Sequence, residues 1–207
     1  MTLLSDIYDV TLKKDIRGAA KGGFVRPTVG EHFMTHKDFK SELKELEEVT
    51  PVFIGYTQDL CTNLANVTES SYYSATPNRV GANAFDGSLT IYSNHWQTGG
   101  SYVFPQWLKY NFGITNKKRI EKYTLQYINF NGTTAPKAWT FEGSNDNVNW
   151  TVLNTQTEQT NWGIEEKRVF IFTNTSQFQY YRWHFTQNNG AYCLIIAEAE
   201  MMEGIYK

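Results

Sequence analysis

No run of lysine and arginine in this chain is dense enough to track a phosphate backbone, and the formal charge at pH 7 is only −2. Binding driven by release of nucleic-acid counterions is therefore not expected. No stretch comes near the roughly 20 apolar residues of a membrane-spanning helix. The first nine residues lack the basic start and apolar run of a secretory signal, so work outside a cell implies another route, such as export within a larger particle. Cysteine is scarce: Cys61 and Cys193 are the two in 207 residues. Neither sits in a Cys-x-x-Cys pair or beside a histidine at ligand spacing, which argues against zinc. Two buried free thiols are the favoured reading, and a bridge between them is the alternative.

Catalytic signatures are missing as well. There is no Gly-x-Ser-x-Gly elbow, no recognisable Ser, His and Asp set, and no phosphate-cradling glycine loop after a strand. His32 and His36 have the spacing of two ligands on one helical turn, but the expected helix starts at Thr35 and leaves His32 outside it. Paired carboxylates for a glycoside hydrolase would need a reason to stand out, and those that do stand out have another reading, given below. A non-catalytic protein is the expectation.

What the chain does hold is aromatic side chains. Six Trp, thirteen Tyr and thirteen Phe make 15% of the sequence, alongside many Asn and Thr and little Ala or Leu, a composition that favours strands. They are unevenly spread. Residues 1–50 are charged and poor in aromatics, with Gly18, Gly22, Gly23, Pro27 and Gly30 as interruptions. One amphipathic helix is expected over residues 35–49. Thr35 is its N-cap with Asp38 three residues on, Phe39, Leu43, Leu46 and Val49 form one stripe, and Pro51 ends it. So short a helix is unstable alone and must dock on something, which makes residues 1–50 a candidate attachment or oligomerisation segment.

From residue 51 to 207 the period changes to two. Tyr123, Leu125 and Tyr127 share a face. Trp139 and Phe141 alternate with Thr140 and Glu142, and Val169 and Ile171 with Phe170 and Phe172. Tyr181, Trp183 and Phe185 oppose Arg182, His184 and Thr186. Asn131-Gly132, Gly143-Ser144-Asn145-Asp146 and Asn188-Asn189-Gly190 supply turns. The pattern predicts an all-β sandwich or barrel.

Residues 138–153 read Ala-Trp-Thr-Phe-Glu-Gly-Ser-Asn-Asp-Asn-Val-Asn-Trp-Thr-Val-Leu. This resembles the central signature of discoidin domains, also called coagulation-factor C-type domains. Ala82-Asn83-Ala84-Phe85-Asp86-Gly87, then Gln106 to Gly113, then Ala197-Glu198-Ala199-Glu200-Met201 resemble further family segments, in the family's order. The resemblance implies an antiparallel, jelly-roll-like β-sandwich. In the signature, Gly143 is read as permitting a tight turn, Asn145 and Asp146 as bonding turn amides, and Trp139 and Trp150 as core anchors.

The resemblance carries site expectations too. Asp86 and Glu198 resemble the positions that hold a structural calcium ion in sugar-binding members, with a Ser88 or Thr90 hydroxyl and main-chain carbonyls completing an oxygen shell. The alternative is a turn cap and a solvated edge residue. The family's ligand surface lies in loops at one end of the sandwich, where a sugar needs an aromatic face and planar hydrogen-bonding groups. Trp162 and Tyr192 are the leading aromatics, with Asn188, Asn189, His95 and Tyr73 as further candidates, while Trp96 is read as packing. The loops are polar and show no pair of exposed Leu, Phe or Met at a tip, so insertion into a membrane is not expected.

The expected function is non-catalytic binding of a cell-surface glycan or polysaccharide. The protein would be a homo-oligomer, with a trimer as one form, held through residues 1–50 in a larger assembly such as a bacteriophage virion. The alternative is a structural decoration or adaptor protein of a virion, its aromatics making subunit contacts.

Overall fold

The computed structural model describes residues 50–74, 79–88, 94–100, 103–128 and 132–207. The helix expected over residues 35–49 and Thr90 lie outside them. The described residues form eleven strands: β1 (Phe53–Tyr56), β2 (Val67–Glu69), β3 (Trp96–Gln97), β4 (Gln106–Asn111), β5 (Ile120–Gln126), β6 (Pro136–Ser144), β7 (Thr151–Gln156), β8 (Lys167–Ile171), β9 (Tyr180–Asn188), β10 (Ile195–Ile196) and β11 (Glu198–Tyr206). They assemble as a four-stranded sheet β1-β11-β5-β8, a five-stranded sheet β2-β4-β9-β6-β7 and a two-stranded β10-β3 pair. Neighbours run antiparallel throughout. Of the sandwich or barrel expected from the alternation, the sandwich forms, with the antiparallel sheets that the discoidin resemblance implies.

The core is the meeting of the two larger sheets. Tyr123 of β5 stacks on Phe141 of β6 at 4.5 Å between ring centroids, and on Phe170 of β8 at 4.9 Å. Tyr181, Trp183 and Phe185 of β9 are fully buried, as the period-two pattern requires. The aromatic interior keeps polar tips, and these pair with one another: Trp139 Nε1 donates to the Tyr123 hydroxyl at 2.9 Å, which donates to Asn154 Oδ1 at 2.9 Å. Burial of such groups is tolerated because their hydrogen bonds are made. Cys61 and Cys193 are both buried and free.

Two readings of the central signature need correction. Gly143 does not turn the chain; it lies within β6, in register with Tyr181. A β-carbon there would overlap the Phe178 ring, so the glycine is required by close packing. The left-handed residue of the following turn is Asn147, at φ 61. Asp146 does bond turn amides, its Oδ1 accepting from Val148 N at 2.9 Å and Asn149 N at 2.7 Å. Asn145 instead reaches across to the β8–β9 connection, accepting from Gln179 N at 3.2 Å. Trp139 is a core anchor, 1% exposed, but Trp150 is not: it is half-buried on the outer side of the five-stranded sheet, under the Arg182 guanidinium at 4.1 Å.

Candidate functional site

The β3–β10 pair and its flanking loops bring together side chains from four separate stretches of sequence. Backbone bonds hold the segments in place: Tyr73 N donates to Gln97 O at 2.9 Å, Gln97 N to Arg79 O at 3.2 Å, and Thr98 N to Leu194 O at 3.0 Å. Within this frame the Arg79 guanidinium donates through Nη1 to His95 Nε2 at 2.5 Å, and also to Gln97 Oε1. An arginine only donates, so His95 is neutral at Nε2 and carries its proton on Nδ1. Burial first, and the Arg79 charge second, push the imidazole down to about 4. The Nδ1 atom is buried and has no hydrogen-bond partner among the described residues.

Tyr192 lies at the edge of the cluster, 52% exposed, with its ring against Gly100. Its phenol is pushed up by Cys193 first, then by burial and Tyr73, against the pull of Arg79. Asn188 is buried and sets the loop that carries Tyr192: its Nδ2 donates to Ala191 O at 2.8 Å and Cys193 O at 2.6 Å. It therefore positions the loop and has no amide hydrogen left to offer a ligand.

Three of the expected residues, His95, Tyr73 and Tyr192, thus converge. Trp162 and Asn189 do not join them. They line a separate shallow depression of about 220 Å³ with Gly132, Thr133, Thr160 and Asn161. Trp162 is only 6% exposed, its Nε1 donates to Pro136 O at 2.9 Å, and the Arg168 guanidinium covers its ring at 4.0 Å. It is a packed anchor of its loop, where the sequence suggested a presented face. Asn189 likewise donates to Ala135 O at 3.1 Å and Gln159 O at 3.0 Å. Arg79 and Gln97 were not among the expected residues. Alternation could have suggested Gln97, since it neighbours Trp96; nothing local marks Arg79.

A second constellation adjoins the first. The 3-10 turn Gly81–Phe85 delivers Asp86, and Gly87 follows at φ 71, in the left-handed region that favours glycine. Ser88 N donates to Asp86 Oδ1 at 2.8 Å and to Glu198 Oε1 at 3.1 Å, so both carboxylates meet at one amide. Glu198 is 6% exposed. Burial first, then the Asp86 charge and a hydrogen bond with Asp86, push it up to about 8, and the Gly87 and Ser88 amides only partly offset this. A buried carboxylate facing a second one, with no cationic side chain among the described groups acting on it, is the arrangement a hard cation relieves. Among the described residues no three His, Cys, Asp or Glu side chains gather. Any cation here would be held by the two carboxylates with hydroxyl and main-chain oxygens.

The sequence profile of the F5/8 type C domain matches residues 66–198. Among solved structures, chitosan-binding module 1 of a chitosanase/glucanase from Paenibacillus sp. IK-5 is 28% identical with a TM-score of 0.52, over 68% of this chain and 98% of that one. Module 2 of the same enzyme, in complex with chitotriose, is 24% identical with a TM-score of 0.53, over 67% of this chain and 98% of that one. The family 32 carbohydrate-binding module of C. perfringens NanJ, in complex with galactose, shares the fold at 17% identity and a TM-score of 0.56, over 72% of this chain and 99% of that one. No curated protein sequence matches the chain.

Proposed function

The chain belongs to the F5/8 type C domain family, and on that premise we propose that residues 51–207 are a non-catalytic carbohydrate-binding domain that takes a glycan at the Arg79–His95–Gln97 cluster. The observation that carries this is the Arg79 guanidinium, held by a neutral histidine and a glutamine beside the exposed Tyr192 ring. Guanidinium, imidazole and amide are planar groups that bond sugar hydroxyls, and a tyrosine ring can lie against the C–H face of a pyranose. Among the described residues, no nucleophile, base and oxyanion donor come together there. The likeness to a chitosan-binding module at 28% identity supports sugar as the ligand class.

Calcium belongs to the same proposal. Asp86 and Glu198, with the Ser88 and Thr90 hydroxyls and loop carbonyls, would hold it. Bound there, the ion would neutralise two facing carboxylates and tie the 81–88 loop to β11. Residues 1–50 are proposed as the segment through which several copies attach to a larger assembly such as a virion, which would multiply weak single-site binding. The change at residue 50 from charged to aromatic-rich sequence supports a separate role for that segment.

Glycan-array binding of the full chain, with and without EDTA and with Arg79→Ala and Tyr192→Ala, tests the reading. Binding lost in Arg79→Ala and weakened in Tyr192→Ala is expected. A well-folded protein that binds no glycan would overturn it in favour of a structural decoration.

A further inference from the structure

The outer side of the five-stranded sheet carries an arrangement that the loop site does not use. In register across three strands lie Lys109 of β4, Arg182 of β9 and Glu142 of β6. Like charges directly opposite one another on neighbouring strands repel, yet Lys109 and Arg182 are such a pair. Glu142 is already engaged: its Oε2 accepts from Arg182 Nε at 2.6 Å and its Oε1 from the Thr140 hydroxyl at 2.6 Å. Among the described residues, His184 is the other titratable group facing Glu142, its Nδ1 3.9 Å from Oε1. Among the described residues no carboxylate bears on Lys109; what acts on it is burial first and the Arg182 charge second.

The two cations are backed by aromatic rings. The Lys109 ammonium lies 5.0 Å from the Trp107 centroid and 5.8 Å from that of Tyr180, and it donates to Asn147 Oδ1 at 2.8 Å. Arg182 lies over the Trp150 ring. Trp107, Trp150 and Tyr180 all stay partly open to solvent on a face where β4 and β9 otherwise alternate buried and open residues. Cation–aromatic contact holds each charge at the surface without neutralising it.

We propose that this sheet face is a second binding site, distinct from the loop cluster, for an acidic polysaccharide of the polyuronate class. A sugar carboxylate sits between Lys109 and Arg182, where it relieves their repulsion. A planar carboxylate matches the free edge of the guanidinium, and the flanking rings of Trp107 and Tyr180 take the apolar faces of neighbouring sugar units.

Affinity electrophoresis of the full chain in gels containing polygalacturonate, dextran sulfate or neutral dextran tests this. Wild type is expected to be retarded by polygalacturonate and not by neutral dextran. Lys109→Gln should weaken the retardation about tenfold in apparent Kd, and Trp107→Ala should weaken it too, both with the wild-type far-UV circular dichroism spectrum and a cooperative thermal melt. Arg79→Ala and Tyr192→Ala should leave it intact, so the loop site can fail while this one stands. The proposal is overturned by no retardation of folded wild type in polygalacturonate, or by retardation that Lys109→Gln keeps and Arg79→Ala abolishes. It is overturned equally if dextran sulfate retards wild type and Lys109→Gln alike and as strongly as polygalacturonate, which marks unspecific charge.

Discussion

Asn94 Nδ2 donates to Asp86 Oδ2 at 2.5 Å, and the next residue in the chain is His95, the acceptor of the Arg79 guanidinium. The carboxylate pair and the Arg79–His95–Gln97 cluster therefore share a backbone tie one residue long. Asn83 adds a second, weaker link, its Nδ2 donating to His95 O at 3.5 Å. Whatever orders the 81–88 loop also orders the residue that holds Arg79.

The first prediction concerns pH. Glu198 is pushed up to about 8 in the folded chain from an ordinary value of 4.5, by burial first and Asp86 second. A folded pKa above the unfolded one means that stability is fully present below the unfolded value and is lost as pH rises through the folded one. In EDTA, thermal melts should fall steadily between about pH 4.5 and 8. In excess calcium that fall should flatten, because the ion binds only the ionised pair, and calcium affinity should rise over the same window. A melting temperature with the same pH profile in EDTA and in calcium would count against the cation site.

The second prediction separates binding from folding. Tyr192 is 52% exposed, so Tyr192→Ala should change stability by no more than about 0.5 kcal/mol. It should nonetheless weaken glycan binding about tenfold, as loss of an aromatic anchor does. Isothermal titration with an array-identified glycan, beside a urea melt, reads both. Equal wild-type and variant affinity would remove Tyr192 from the site.

The third concerns the packing glycine. Gly143→Ala places a methyl group against the Phe178 ring. Overpacking of this kind costs about 1–3 kcal/mol, and equilibrium urea unfolding should show it. If Gly143 served a left-handed turn instead, a double variant with Phe178→Leu would bring no recovery; the packing account expects substantial recovery.

The fourth compares the two tryptophans of the signature. Trp139 is 1% exposed and hydrogen-bonded to Tyr123, so Trp139→Ala should cost about 3–5 kcal/mol. Trp150 is half-buried beneath Arg182, and Trp150→Ala should cost clearly less, on the order of 1 kcal/mol from lost cation–aromatic contact. Comparable losses would restore Trp150 to the core.

Much of the fold is legible in the sequence because its cause is local. A strand's successive residues face opposite ways, so Tyr181, Trp183 and Phe185 have to share a side, and one aromatic side has to be buried. The acidic pair is legible only through the family resemblance, which places Asp86 and Glu198; their meeting at the Ser88 amide spans 110 residues of chain.

The loop cluster shows where legibility stops. Trp162 and Tyr192 look alike in sequence, each an aromatic among Asn and Gly without strand periodicity. Only the folded loop separates them. The carbonyls of Pro136 and Gln159 accept the Trp162 indole and Arg168 covers its ring, while Asn188 curls its own loop so that Tyr192 is left outside. Arg79 carries no local signal, because its partners His95 and Gln97 stand 16 and 18 residues away. By itself, the sequence determined the strands and their inward faces, which follow from periodicity, and its resemblance to the family chose a sandwich over a barrel. Tertiary structure alone decided which loop side chains meet and which stay open, because the contacts that bring them together, Arg79 on His95 and Gln97, Trp162 on Pro136 and Ser88 on Glu198, join residues 16 or more apart in sequence.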